Sequence, residues 1–232
     1  MNLFFYVLLA AALSIITLAA RKKWFTFFIC GVGIACVVNA IFFTADSHPI
    51  DIFGLDFGIG SILYTVFVYT IVLMYIKCGR DDARNFVLTG IFSITLAIVF
   101  DLIASLLSGN FDQTQLITKV VMLVIAVFAT ASTSIFGLFV VKKLKDKNVS
   151  VYWQIIIGVI VTSTLYFICF FFANPFVYIT GQALLRCYRF LSAFISEIIT
   201  LGCCTGAYFI STLIDKREMR KLKEKEEKEI NE

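Results

Sequence analysis

With 232 residues, 60% of them hydrophobic, and only 16% charged, the chain carries more apolar surface than a soluble domain can hide, since soluble domains run at roughly 45–50% apolar and 25% charged. That composition excludes a disordered chain, a disulfide scaffold and a nucleic-acid-binding domain. The net charge of +4 sits beside apolar segments, where it reports topology, so the class is an integral membrane protein.

Seven apolar stretches are long enough to cross about 30 Å of hydrocarbon at ~1.5 Å per residue. They fall at 2–20, 24–45, 61–77, 85–108, 117–141, 151–173 and 191–213. The expected fold is therefore all-α, a polytopic transmembrane helical bundle of about seven spans (six or seven). The first stretch lacks the basic start and clear cleavage site of a signal peptide, and Arg21-Lys22-Lys23 follow it, so it reads as a retained helix.

The second stretch contains Asn39. Between it and the third lies ADSHPIDIFGLDFGIG (Ala45–Gly60). Its three glycines and one proline are poor helix material inside a span. They point to a re-entrant turn or short half-helix over the bundle mouth, or to a plain outer loop. His48, the single histidine, reads as a solvated loop residue. The seven cysteines show no CxxC spacing, so no metal is expected and they read as small packing residues.

Basic residues set the orientation. With the N-terminus outside, seventeen of the 20 Lys and Arg fall in the inner segments 21–23, 77–84, 142–147 and 214–232, leaving only Lys119, Arg186 and Arg189. The outer loops hold Asp46, Asp51, Asp56 and Asp112. This pattern predicts N-out and C-in, in a bacterial inner membrane.

Two acids enter the apolar stretches, where burying one costs several kcal/mol. Asp101 lies about 10 Å below the outer end at Ser108, and Glu197 about 9 Å below Leu191, on independent counts. Asn39 falls on the same level. Ser192, Ser196 and Thr200 recur at i, i+4 and i+8 on the last stretch, a stripe of hydroxyls with Arg186 and Arg189 just above it. Below come Gly202-Cys203-Cys204-Thr205-Gly206, small residues that would admit another helix. These features predict a polar pocket in the outer half, lined by Asn39, Asp101, Arg186, Arg189, Ser192, Ser196 and Glu197. The alternative is structural: ion pairs of the acids with Arg186, Arg189 or Lys119, and hydroxyls bonded to their own i−4 carbonyls.

The bundle occupies 1–213, and 214–232 reads as a charged cytoplasmic helical tail. Pairs such as Glu224 and Lys228 favour a helix there, and from Asp215 onward only Leu222 and Ile230 are aliphatic. Such a tail serves as a solvated extension, a homodimer contact or a contact for a cytoplasmic signalling partner.

The stretch Ile50–Arg84 also resembles the signature of the vitamin-uptake-type family, which includes the queuosine-precursor transporters. The matching elements are Phe53-Gly54-Leu55, Gly60, Ile62-Leu63-Tyr64, Gly79-Arg80 and Ala83-Arg84, with Asn39 where the family has an Asn ahead of the motif. Leu184–Thr200 resembles the family's late Arg…Ser…Ser-x-x-Asp helix at Arg186, Ser192 and Ser196. The transporters' acids are replaced: Ile71 stands near the central Asp, Ile76 or Lys77 near the Glu, and Thr200 at the late Asp. That loss, with Tyr75-Ile76 ahead of Gly79 and Ala83-Arg84, is closer to the family's vitamin-uptake-like sensor relatives. The resemblance implies a transporter-like bundle that binds a purine-like or vitamin-like small molecule.

Three functions follow in order: a ligand-sensing membrane domain, an importer of a queuosine precursor or vitamin-like molecule, and a membrane scaffold without ligand. The sensor reading expects an output domain where this sequence has the short tail. Besides membrane lipid and the small molecule, no nucleic acid and no cofactor is expected. No motif pairs a nucleophile with a base, so an enzyme is not expected.

Overall fold

The computed structural model describes residues 2–20, 50–52, 55–57, 59–107, 113–172 and 183–231. Six helices lie among them: α1 (Asn2–Ala20), α2 (Ile59–Lys77), α3 (Arg80–Leu107), α4 (Gln113–Asp146), α5 (Val151–Phe172) and α6 (Ala183–Asn231). Two three-residue strands, β1 (Ile50–Ile52) and β2 (Leu55–Phe57), precede α2. Six of the seven apolar stretches fall on helices; the stretch 24–45, with Asn39, lies outside the described residues. Three segments are long and apolar enough to cross a membrane: Val124–Asp146, Val151–Cys169 and Phe190–Arg217. Large apolar side chains stay exposed on the outward faces of several helices, among them Phe92, Phe128, Ile135, Trp153, Ile198 and Ile210. Such a belt would be an aggregation liability in water and is what a bilayer covers.

The helix ends follow local chemistry. After Lys77 the chain turns at Gly79, whose φ of 110° is open to glycine alone among common residues. Its amide donates to the Met74 carbonyl at 3.1 Å, closing α2. Asp81 and Asp82 in the first turn of α3 complement the positive end of the helix. At the end of α4, Asn148 takes a φ of 55°, and the Val149 amide reaches back to the Leu144 carbonyl at 3.0 Å, an Asn-capped Schellman ending.

α2 is the axis of the bundle. It packs against α1, α3, α4, α5 and α6, and every side chain from Ser61 to Tyr75 is buried. A helix apolar around its whole circumference has to be enclosed by others. α5 bridges α4 and α6, and Gly137 and Gly158 set how closely it approaches. A Cβ on Gly137 would run into the Thr162 hydroxyl, and one on Gly158 would meet Val141 and Val72.

One alternative is corrected. Ile50–Ile52 and Leu55–Phe57 are not a half-helix: β1 and β2 pair antiparallel, with Ile50 opposite Phe57, Asp51 opposite Asp56 and Ile52 opposite Leu55, which leaves the re-entrant turn and the plain outer loop as readings of the segment. The reason is the alternation Ile-Asp-Ile and Leu-Asp-Phe, which has the period of a strand; α2 then starts at Ile59, so Gly60 lies inside its first turn. In the patch 202–206 an added Cβ on Gly202 or Gly206 would meet nothing within 4 Å among the described residues; both lie on the exposed side of α6, and the buried member of the patch is Cys204.

Gly137→Ala should destabilise the α4–α5 pair. Overpacking against an ordered group costs about 1–3 kcal/mol, and Thr162 is fixed by its hydrogen bond to the Gly158 carbonyl at 2.7 Å, so the upper part of that range outweighs the ~1 kcal/mol of helix propensity that alanine returns. A lowered thermal midpoint in detergent, partly restored by adding Thr162→Ala, is the expected result.

Candidate functional site

Most hydroxyls in this bundle are settled locally. Ser14, Thr65, Thr70, Thr133, Thr162, Ser192, Thr205 and Thr212 each donate to the carbonyl four residues back, at 2.7–3.2 Å. This is the cheapest way to bury a hydroxyl in a helix. Some of the exceptions gather in one layer; the buried hydroxyls of Ser134 and Ser163 are also without hydrogen-bond partners among the described residues.

The predicted stripe on α6 turns inward as its spacing requires: Ser192, Ser196, Glu197 and Thr200 are all buried, Glu197 completely. The Ser196 hydroxyl meets that of Ser61 on α2 at 2.8 Å. Thr164 on α5 leaves its own backbone and donates to Glu197 Oε2 at 3.2 Å. Glu197 Oε1 has no hydrogen-bond partner among the described residues, and neither has the buried Thr200 hydroxyl one turn away. The carboxyl group is thus held on one oxygen and open on the other.

Two tyrosines complete the layer. Tyr64 on α2 and Tyr166 on α5 stack with centroids 3.8 Å apart and rings inclined at 18°. Tyr64 lies within electrostatic reach of Glu197, and its hydroxyl faces Thr130 and Thr133 on α4 without reaching hydrogen-bond geometry. Tyr166 has Thr130 beside it. The buried hydroxyls of Tyr64 and Thr130 are unpartnered among the described residues. Helices α2, α4, α5 and α6 therefore converge here around one carboxyl group, two phenol rings and several hydroxyls.

The depth of this layer follows from the opposite end of the bundle. There the Lys77 ammonium lies over the Tyr208 ring at 5.8 Å, and Tyr152 meets Tyr208 edge-on at 5.5 Å. Counted from these residues at ~1.5 Å each, Tyr64 is ~20 Å up α2, Thr164 ~18 Å along α5 and Glu197 ~17 Å along α6. The three agree. The site sits in the half of the bundle away from Lys77.

Of the predicted site residues, Ser192, Ser196 and Glu197 are brought together here, although Ser192 donates to its own Tyr188 carbonyl at 3.2 Å. Asp101 falls on α3, and Arg186 and Arg189 on the first turns of α6; their side chains, like Asn39, lie outside the described set. The described partner of Glu197 is a threonine. Sequence reading missed Tyr64, Thr130, Thr164 and Tyr166. Thr130 and Thr164 stand among other hydroxyls (Ser132, Thr133 and Ser134; Thr162 and Ser163) and the two tyrosines among apolar residues, so nothing in their spacing announced a partner on another helix.

Searches of family models, curated proteins and solved structures find no match for the chain.

The Ser61–Ser196 contact makes a direct test of the packing. A double-mutant cycle of Ser61→Ala and Ser196→Ala should return a favourable coupling of about 0.6–1.7 kcal/mol, the span seen for hydrogen bonds between membrane helices. Zero coupling in detergent unfolding would mean that α2 and α6 do not meet at this point.

Proposed function

We propose that the protein is a multi-pass membrane protein of about seven spans, N-out and C-in, whose transporter-like bundle binds a small molecule in its outer half and acts as a sensor-type domain. The observation that carries the reading is Glu197: a fully buried acid with one oxygen bonded to Thr164 and the other unpartnered among the described residues. An acid inside a membrane bundle is costly and marks a ligand or ion path by default. The stacked Tyr64 and Tyr166 beside it offer an aromatic wall suited to a flat ligand. The resemblance to vitamin-uptake-like sensors supports the same reading and favours a purine-like or vitamin-like ligand. In this reading the membrane is a bacterial inner membrane, and α6 carries the response to the cytoplasm. It is one unbroken helix of 49 residues, Ala183–Asn231, that passes through the site, and in this reading its charged end contacts a second copy or a signalling partner.

Import of a queuosine precursor or vitamin-like molecule is the second reading. What favours it is the depth of the acid, more than halfway across the bundle from Lys77, where an alternating-access site would lie. No chemistry on a substrate is assigned to either.

Topology and binding are tested separately. Reporter fusions after Val141 and after Glu232 should both be cytoplasmic; a periplasmic C-terminus sinks the orientation. In a thermal-shift screen of purified protein against deazapurines and vitamins, a binder should stabilise the wild type. Glu197→Gln should weaken that binder roughly 10- to 150-fold, the loss of one charge-assisted hydrogen bond of about 1.5–3 kcal/mol, with little change in the unliganded midpoint. Collapse of the fold in Glu197→Gln, rescued by neutralising Arg189, would assign the acid to structure. Uptake of labelled binder into cells would select the importer.

A further inference from the structure

The positive charge at the Lys77 end of the bundle is not spread evenly. Residues 142–147 carry four lysines against one acid, Asp146, whereas 77–84 has three basic residues against two acids and 214–232 balances seven against seven. The uneven segment sits at a corner. Gly137 on α4 faces Thr162 on α5, and Val141 faces Gly158. The same antiparallel register brings Asp146 level with Trp153 and Lys147 level with Tyr152. Tyr152 meets Tyr208, whose ring lies beneath the Lys77 ammonium. Tyr75 is within electrostatic reach of both Asp146 and Arg80, which ties the end of α4 to the turn between α2 and α3.

Three of the four lysines share a face with apolar rings. Phe136, Phe139 and Lys143 recur at i, i+3 and i+7 on α4, with Lys142 beside Lys143. The Lys147 amide donates to the Lys143 carbonyl at 3.2 Å, so Lys147 stands one turn further along the same face. Asp146 lies there too, outnumbered by Lys142, Lys143 and Lys147. All three lysines are exposed and make no ion pair among the described residues. Phe136 and Phe139 are also exposed, as is Trp153 on the first turn of α5. The Lys143 ammonium lies over the Phe139 ring at 4.8 Å, so charge and apolar surface meet without a gap.

A soluble acidic partner would answer the charge and leave the rings bare. Hydrocarbon alone would cover the rings and leave the charge unmatched. An amphiphile with a negative headgroup answers both, with tryptophan at the level where the two regions join. We propose that this corner of α4 and α5 binds an anionic phospholipid, its phosphate held by Lys142, Lys143 and Lys147 and its acyl chains laid along Phe136 and Phe139. The inference rests on the chain being a membrane protein and is independent of what the Glu197 layer binds.

The test is the thermal unfolding of the full chain in maltoside micelles, titrated with phosphatidylglycerol or with phosphatidylcholine of the same acyl chains. Phosphatidylglycerol should raise the midpoint saturably, as a ligand of the folded state does, and phosphatidylcholine should not. Glycerol 3-phosphate, a phosphate without chains, should have no effect at the same concentrations. A lysine near an anionic lipid surface contributes roughly five-fold in affinity, so Lys142→Gln combined with Lys143→Gln should weaken the response about 25-fold. Neutralising the exposed Lys216 and Arg217 on α6 removes as much charge elsewhere and should leave the affinity nearly unchanged. No rise with phosphatidylglycerol, an equal rise with phosphatidylcholine, or an equal loss in the α6 pair overturns the proposal. A rise with glycerol 3-phosphate overturns it as well, by assigning the corner to a soluble anion. Should the double variant not be recovered folded, Lys147→Gln, which lies past the last turn of α4, decides: a loss of about five-fold supports the site, and an unchanged affinity overturns it.

Discussion

A polar atom buried in a membrane bundle has only the protein to satisfy it, and in this molecule that constraint acts through α2. Its side chains are enclosed from Ser61 to Tyr75, so five helices must close around it without leaving its polar groups bare. The backbone of α2 is satisfied by being helical. Thr65 and Thr70 are satisfied by bonding back to Ser61 and Val66, and Tyr69 by reaching the Cys204 carbonyl on α6 at 3.2 Å. Ser61 is tied to Ser196. Each of these contacts fixes the rotation of a neighbouring helix, and α6 is pinned twice, two turns apart. α1 is then seated on α6 by Ser14, whose hydroxyl lies 3.0 Å from the Cys204 sulfur. The order of the bundle thus grows outward from one enclosed helix.

The same constraint explains why the site is where it is. Where α2 is lined by Val, Ile and Leu, the surrounding helices offer matching apolar surface, and their hydroxyls turn back on their own carbonyls. At Tyr64 the ring is too long to fold back and carries a hydroxyl to the α4 side. Thr130 and Thr133 meet it there, and Tyr166 stacks on its face. Glu197 enters from α6 on the same level. The polar layer is thus a consequence of a few long side chains converging between four helices.

Much of this was legible in the chain. Helix positions followed from apolar length, and the inward turn of Ser192, Ser196 and Thr200 followed from their i+4 spacing. Counting ~1.5 Å steps from Lys77, Tyr152 and Tyr208 puts Glu197 level with Tyr64 and Thr164, in the half of the bundle away from Lys77. What was not legible has a common physical cause. Thr164 and Tyr64 matter because of what faces them across a helix interface, and α2 is apolar on all sides, so its periodicity says nothing about which neighbour each face meets. The β1–β2 ladder was obscured by its shortness: the alternation Ile-Asp-Ile and Leu-Asp-Phe was present but shorter than one helical turn's worth of evidence on either side. For Gly202 and Gly206, spacing says that a close approach is allowed but not on which face: both lie on the exposed side of α6, while Glu197 and Cys204 are buried.

That competition for the inner face bears on why the layer is polar at all. Leaving one buried polar group unsatisfied costs about 1–3 kcal/mol, and the described layer holds several such atoms against a net stability that in most domains is only about 5–15 kcal/mol. Thr200 could remove its share by a change of rotamer, but Glu197 could not be relieved by turning α6 outward, because the outward faces form the apolar belt that a bilayer covers and an acid facing lipid is costly. The inner face therefore keeps the acid together with the groups that pack beside it: Ser196 against Ser61, Cys204 between Tyr69 and Ser14, and the buried Ala193, Leu201 and Tyr208.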